Sequence, residues 1–333
     1  MTAGRVRWVD VFKGILILLV IFGHAVQGVA ADATLATSAQ HDSIKLAKDF
    51  VYSFHMPAFF VASGFFAGGL YAKNMRTQLA KRVRRLVVPY FVWGLITACA
   101  MQLMSSHTNA HKGLIDFLYS PLVPFSQFWY LYVLFFISLL HMGISMMLQK
   151  QADRVLLGLG IVLYCAQSVV PNVWIMHYLC QYTMYYALGM FAFRAMNEHV
   201  DDARRWWLTA AGVLALVAGF VLLRQWLGAR DLPWLLCSAF IALVGTFVVY
   251  CSSVWERGAS ARVWRGLAWC GQESLALYVS HLLVVQGMRI VLVRLLGVAN
   301  LWLVVLVATV VGTAICCGGI ALLKRTPVYD ILF

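Results

Sequence analysis

Charged residues are scarce in this sequence. Of its 333 residues, 12% are Asp, Glu, Lys or Arg and 62% are hydrophobic, and the mean hydropathy is +0.80. Soluble globular domains carry roughly 25% charged residues, so a chain with so few could not solvate its surface in water. The composition therefore excludes a soluble globular enzyme and predicts a protein whose solvent is lipid.

Paired cysteines are also lacking. The eight cysteines form no C-x-x-C pair and all fall within apolar stretches, so they indicate neither a disulfide framework nor a metal site. No metal or permanently bound cofactor is predicted. The net charge of +13 does not indicate a nucleic-acid partner, because Lys and Arg occur in short clusters between apolar runs. Clusters of that kind orient membrane helices.

Apolar runs long enough to cross a bilayer recur along the chain. A spanning helix needs about 20 mostly apolar residues, which predicts an all-α, polytopic membrane bundle of about ten helices forming a single domain, 1–333. The predicted spans are 11–31, 50–71, 86–105, 128–148, 155–170, 174–193, 207–227, 233–252, 267–291 and 301–323.

The distribution of Lys and Arg over the loops predicts the orientation. Alternate loops are rich in them, most densely at Lys81-Arg82-Val83-Arg84-Arg85, whereas the opposite loops and helix ends hold fewer, among them Arg289 and Arg294. By the positive-inside rule both termini are then cytoplasmic. The expected location is a bacterial inner membrane, crossed several times.

Ionisable residues occur inside the predicted spans, where their cost marks them as site candidates. Lys13 and His24 share one face of the first span, separated by about 16 Å of helical rise, and Asp10 lies one turn before Lys13. Counting along the spans places His24, His55 and His281 at similar depth in the outer part of the bilayer. Each is a candidate general base, and the alternative is a structural hydrogen bond to a neighbouring helix.

The basic run 81–85 has two interpretations. It is a topology anchor that meets anionic lipid, or a site where guanidinium groups hold phosphate oxygens. Composition does not choose between them.

The residues singled out so far, in their order along the chain, resemble the acyltransferase-3 family of membrane acyltransferases, in the branch of fucose 4-O-acetylase-like and related sugar O-acetyltransferases. The first matching element departs from the family pattern, since Lys13 stands where arginine is commoner, which keeps the charge but not the bidentate fork. The matching elements are Asp10-x-x-Lys13-Gly14 leading to Gly23-His24, FHMPAFFVASGFF containing His55, Arg82-x-x-Arg85 with Pro89-Tyr90, Phe128-Trp129-Tyr130-Leu131, and Gly271-x-x-Ser274-Leu275-x-x-Tyr278-x-x-His281.

The resemblance implies transfer of an acyl group, most often acetyl, from cytoplasmic acyl-CoA to a hydroxyl of a glycan or glycolipid precursor. His24 would be the general base. The residues implied to bind the donor are Lys13, Arg82 and Arg85. Those implied to orient the acceptor or the thioester are Asp10, His55, Trp129, Tyr278 and His281. Trp129 would stack on a sugar face, and an interfacial belt position is the alternative for it.

Two further alternatives stay open. Transfer can be direct or can pass through an acyl-histidine intermediate. From another functional class, a transporter or flippase of a polysaccharide intermediate or small solute would also use polar groups near the bilayer midplane. The sequence shows no inverted repeat and no paired Gly/Pro-broken spans of the kind found in such carriers.

Overall fold

The computed structural model describes residues 6–32, 35, 38–104, 113–170, 175–225, 232–255 and 261–333. Within these ranges the chain is helical and has no β-strand. Its α-helices are α1 (Arg7–Ala30), α2 (His41–Tyr52), α3 (His55–Gly64), α4 (Met75–Arg82), α5 (Val88–Leu103), α6 (Leu114–Leu118), α7 (Trp129–Leu148), α8 (Ala152–Ala166), α9 (Met176–Glu198), α10 (Val200–Ala203), α11 (Trp206–Gln225), α12 (Leu232–Ser253), α13 (Ala261–Gln272), α14 (Ser274–Ile290), α15 (Leu301–Leu323) and α16 (Tyr329–Leu332).

Seven helical stretches in the described ranges are long and apolar enough to cross a membrane, which confirms the all-α membrane class. The count of about ten spans and the cytoplasmic position of both termini stay predictions. The stretches are Arg7–Ala30, Met75–Leu103, Ser126–Ala166, Trp206–Gln225, Leu232–Ser253, Ser274–Leu295 and Leu301–Leu323.

Several predicted spans differ from these stretches. The stretch Ser126–Ala166 has 41 residues, about two crossings. It contains the predicted span 128–148 and most of the predicted span 155–170, with a positive φ of 45° at Gln149 between them. Predicted span 50–71 is divided between the end of α2 and the short helix α3, and α9 is long but not among the apolar stretches.

The predicted span 267–291 begins too early. The helix breaks at Glu273, so that the apolar stretch starts at Ser274. Glu273 is buried and accepts hydrogen bonds from the Lys324 ammonium and, at 2.5 Å, from the Tyr329 hydroxyl. These bonds satisfy a carboxylate that would otherwise be buried without a partner.

The chain divides into two compact units, each assembled from separate segments. The first unit comprises Met1–Leu16, Ser53–Val83 and Val133–Gln272, and the second comprises Ile17–Tyr52, Arg84–Tyr132 and Glu273–Phe333. The single domain over 1–333 stays a prediction.

Glycine lets helices of the first unit pack at backbone contact. A Cβ at Gly64 of α3 would lie 2.0 Å from the Tyr186 carbonyl oxygen of α9, and one at Gly189 would lie 2.0 Å from the Val61 carbonyl oxygen. Small residues at such crossings are typical of membrane helices, because lipid supplies no hydrophobic force between them. In the second unit, α14 packs mainly against α15, and Trp93 of α5 donates to the Leu332 carbonyl at 3.1 Å.

Candidate active site

A pair of histidines lies inside the second unit. The rings of His24 on α1 and His281 on α14 have centroids 5.1 Å apart and an interplanar angle of 43°. His281 is completely buried, whereas His24 is half-buried. The structure therefore brings together two of the three histidines for which the sequence predicts a similar depth.

The hydrogen bonding of His281 leaves one ring nitrogen without a partner. Its Nδ1 lies 3.0 Å from the Leu277 carbonyl oxygen, which can only accept, so Nδ1 carries the hydrogen. In the neutral ring, Nε2 then presents a lone pair. That atom is buried and has no hydrogen-bond partner among the described residues. Orphaned buried polar atoms are rare, and a ligand is one explanation for them.

Two glycines leave room for the side chains that pack around His24. A Cβ on Gly23 would lie 3.2 Å from the ring of Tyr52, which stands edge-on to His24 at 6.3 Å. A Cβ on Gly28 would lie 2.5 Å from the amide of Gln286, whose Nε2 donates to the His24 carbonyl at 3.1 Å. Glycine on either side of His24 thus lets Tyr52 and Gln286 approach α1 closely.

Tyr278 is tied to the turn that precedes Trp129. Its hydroxyl donates to the Gln127 carbonyl, and its ring centroid is 5.3 Å from that of Tyr130 and 6.1 Å from that of His281. Gln127 is buried, and its Nε2 has no hydrogen-bond partner within the described ranges. The Tyr278 hydroxyl is therefore committed to a backbone carbonyl, while the Gln127 amide offers a buried donor.

A second polar centre lies in the first unit. Asp153 of α8 accepts hydrogen bonds from His141 Nε2 and from the Gly69 amide, both at 2.9 Å. Gly69 has a φ of 67°, which only glycine adopts at little cost. His141 is completely buried, and its Nδ1 has no partner in the described part of the chain.

Arg82 is the basic residue that approaches this centre. Its Nη1 donates to the Gln78 side chain at 3.2 Å, and it lies near both His141 and Tyr186. Lys73 is a second cation near His141. Arg82 is half-buried, whereas the other basic residues of run 81–85 are exposed. Two cations thus lie beside an imidazole that has a free lone pair when neutral.

Asp10 and Lys13 lie in the part of α1 that belongs to the first unit. Asp10 is buried and accepts from Gln272 Nε2 at 3.2 Å, and Lys13 is half-buried. A Cβ on Gly14 would lie 1.9 Å from the Leu267 carbonyl oxygen, so α1 meets α13 at backbone contact.

The remaining predicted site residues are distributed between the units. His55 begins α3 in the first unit and is buried. Arg85 is exposed in the wide π-helical turn Val83–Val87, and Trp129 begins α7 half-buried, both in the second unit. Of the nine predicted site residues, the structure shows His24, His281 and Tyr278 close together within one unit.

A sequence profile described as an acyltransferase domain matches residues 6–321, nearly the whole chain. The chain belongs to the acyltransferase-3 family. It is similar to nodulation protein NolL of Sinorhizobium fredii, with 31% identity over 112 residues, and to that of Mesorhizobium japonicum, with 36% identity over 87 residues. These matches cover 32% and 25% of this chain but 29% and 21% of the relatives, less than a third of their length. No solved structure gives a significant match.

For a membrane acyltransferase, the histidine pair has the chemistry that the reaction needs. Acyl transfer to a hydroxyl requires a group that takes the hydroxyl proton, and imidazole is the side chain most often used for this. A second imidazole with a free lone pair, 5.1 Å away between centroids, can accept a hydrogen bond from the first once it is protonated.

Sequence reasoning missed several residues that lie around the histidine pair. Tyr52, Gln127 and Gln286 are uncharged polar residues, and such residues are common enough in spans to carry no signal alone. Arg289 did carry one, because it is an ionisable residue near a predicted span end. Its position at an outer helix end stays a prediction, and the structure adds that its side chain is 3% exposed within the stretch Ser274–Leu295.

Proposed function

We propose that the protein is an O-acyltransferase of the bacterial inner membrane that moves an acyl group, most often acetyl, from cytoplasmic acyl-CoA to a hydroxyl of a glycan or glycolipid precursor. The observation that carries the proposal is the close pair of half-buried His24 and buried His281, with a His281 Nε2 that has no hydrogen-bond partner among the described residues. A purely structural histidine in lipid would be expected to use both ring nitrogens in hydrogen bonds.

In the proposed reaction, His24 acts as general base. It takes the proton of the acceptor hydroxyl while the hydroxyl oxygen attacks the thioester carbonyl. The carbon–sulfur bond then breaks, and the departing thiolate of coenzyme A receives from His24 the proton that came from the acceptor hydroxyl. Base catalysis of this kind is typically worth about 10²–10⁴-fold in rate.

His281 has a supporting role in this scheme. Its Nε2 lone pair accepts a hydrogen bond from the His24 imidazolium that forms during transfer. The Gln127 amide, a buried donor without a partner among the described residues, is proposed to bind an oxygen of the thioester or the acceptor. Tyr278 acts by holding the turn before Trp129, which is proposed to stack on a sugar face.

The donor is proposed to bind through cations that meet its phosphates. Arg82 carries most of this role because it is half-buried near His141, whereas Lys73, the second cation near His141, is exposed. Lys13 and Arg85 are proposed to contact other parts of the donor. Asp10 and His55 keep their proposed orienting roles.

The direct test is acetyl-CoA binding and turnover by the purified protein in nanodiscs, with radiolabelled acetyl followed into added glycolipid. His24→Ala is compared with His199→Ala, a replacement of a surface histidine whose Nδ1 bonds to the Ala195 carbonyl. We expect saturable binding with slow thioester hydrolysis in the wild type and in His199→Ala, and no turnover in His24→Ala. Absence of binding at millimolar donor, in folded protein, would overturn the proposal and favour the transporter or flippase.

A further inference from the structure

A buried ion cluster lies in the second unit near the end of α14. The Arg289 guanidinium donates to Asp32 Oδ2, and Arg294 Nη2 lies 3.3 Å from Asp32 Oδ1. Asp32 is 1% exposed and Arg289 is 3% exposed. Burying a charged pair costs about as much as the pair gains, so stability alone does not explain it. The predicted topology does not need it either, since positive charge orients helices from the cytoplasmic side.

Two side-chain hydrogen bonds connect this cluster to His24. Arg289 Nε donates to Gln286 Oε1 at 2.9 Å, and Gln286 Nε2 donates to the His24 carbonyl at 3.1 Å. Both the oxygen and the nitrogen of the Gln286 amide thus form hydrogen bonds. Because a guanidinium can only donate, the amide oxygen must face Arg289, which leaves the amide nitrogen to face His24.

Glycine at position 28 makes the connection sterically possible. A Cβ there would lie 2.5 Å from both Gln286 Nε2 and Gln286 Oε1, a separation that real Cβ contacts do not reach. Any larger residue would push the amide away from the His24 carbonyl, which lies one turn earlier on α1.

We propose that Asp32, Arg289 and Gln286 are positioning residues that hold the His24 turn of α1 against α14. The inference rests on the proposed function, in which His24 is the base. We call these three residues the clamp. Gln286 lies five residues after His281 on the same helix, about 7.5 Å of rise, so the clamp lies close to the point where the two imidazoles approach each other. The Asp32–Arg289 pair fixes the clamp, and the Gln286 amide transmits it to His24.

The decisive variants change the amide without touching a charge. Gln286→Leu removes both hydrogen bonds of the clamp, and Gly28→Ala displaces the amide while leaving it present. We expect each to lower kcat on the order of 10²-fold, the effect of misplacing a catalytic group by about 1 Å, with the KM for acetyl-CoA unchanged. The double variant should lose no more kcat than either single variant, because both substitutions break the same contact.

Arg289→Lys distinguishes positioning from simple charge pairing. Lysine keeps a cation for Asp32, but a single ammonium lacks the planar fork that reaches the carboxylate and Gln286 together. Positioning predicts the kcat loss of Gln286→Leu in this variant, measured at a temperature at which unfolding curves in detergent show both variants folded. Near wild-type kcat in Gln286→Leu and Gly28→Ala would overturn the inference, as would a loss confined to KM.

A control separates this inference from the proposed function. Thr309→Val on α15 removes a comparable side-chain bond, to the Val305 carbonyl, away from the clamp, and should leave kcat unchanged. If His24→Ala were fully active, the proposed function would fail first, whatever the clamp variants did. If His24→Ala is inactive and the clamp variants match Thr309→Val, only the positioning role fails.

Discussion

Replacing His281 with phenylalanine should separate packing from chemistry. The ring is completely buried, and phenylalanine places a planar ring of slightly larger volume at the same position. The substitution removes one hydrogen bond, from Nδ1 to the Leu277 carbonyl, worth about 1 kcal/mol net. It also removes the buried Nε2, and a polar atom without a partner costs about 1–3 kcal/mol. The free energy of unfolding should therefore stay constant or rise by about 1–2 kcal/mol.

Activity should move in the opposite direction. If Nε2 stabilises the His24 imidazolium, its loss should lower kcat on the order of 10²-fold or more. The assay pairs thermal unfolding in detergent with acetyl-CoA turnover in nanodiscs, using Thr309→Val as the matched loss of a bond to a backbone carbonyl four residues earlier. A destabilised but fully active His281→Phe protein would refute the reasoning, because it would show that Nε2 has a structural partner and no part in transfer.

Three further outcomes follow from the two polar centres. Arg82→Ala should raise the KM for acetyl-CoA several-fold while the exposed neighbour Arg84→Ala leaves it unchanged, and equal effects would return the run to a topology anchor. Arg85→Ala should also weaken apparent donor affinity, and an unchanged affinity would remove Arg85 from the proposed donor site. Asp153→Asn replaces a carboxylate that accepts from His141 and Gly69, so unfolding measurements should show a loss of about 1–3 kcal/mol, which an unaltered unfolding curve would contradict.

Residue counts along a helix convert directly into distance, so the sequence predicts a similar depth for His24 and His281, whose ring centroids lie 5.1 Å apart in the structure. It does not predict that His24 meets His281 in particular. Which helices become neighbours depends on packing between segments far apart in the chain, here α1 and α14. The glycines at 23 and 28 are visible in the sequence, but their purpose appears only when Tyr52 and Gln286 are found against them.

Helix boundaries were the weaker part of the prediction. Hydropathy alone extends the ninth span back to residue 267, since the residues of α13 are moderately apolar. At the break, Glu273 accepts side-chain bonds from Lys324 and Tyr329, which lie more than fifty residues later, so the sequence around residue 273 does not reveal these partners. The family match over residues 6–321 adds the reaction class, which no hydropathy pattern contains.

The buried face of α14 shows what sequence could have revealed about Arg289. Tyr278, His281, Val285 and Arg289 follow at intervals of three or four residues, which places them on one helix face, and all four are buried. In lipid the outer face of a span must be apolar, whereas the inner face is free to be polar. Polar residues at helical spacing within an apolar run therefore mark an inward face, and Arg289 continues the row that begins at Tyr278. The same face thus carries His281 and the arginine that donates to Gln286, so the polar residues of α14 that lie near His24 follow one row along the helix.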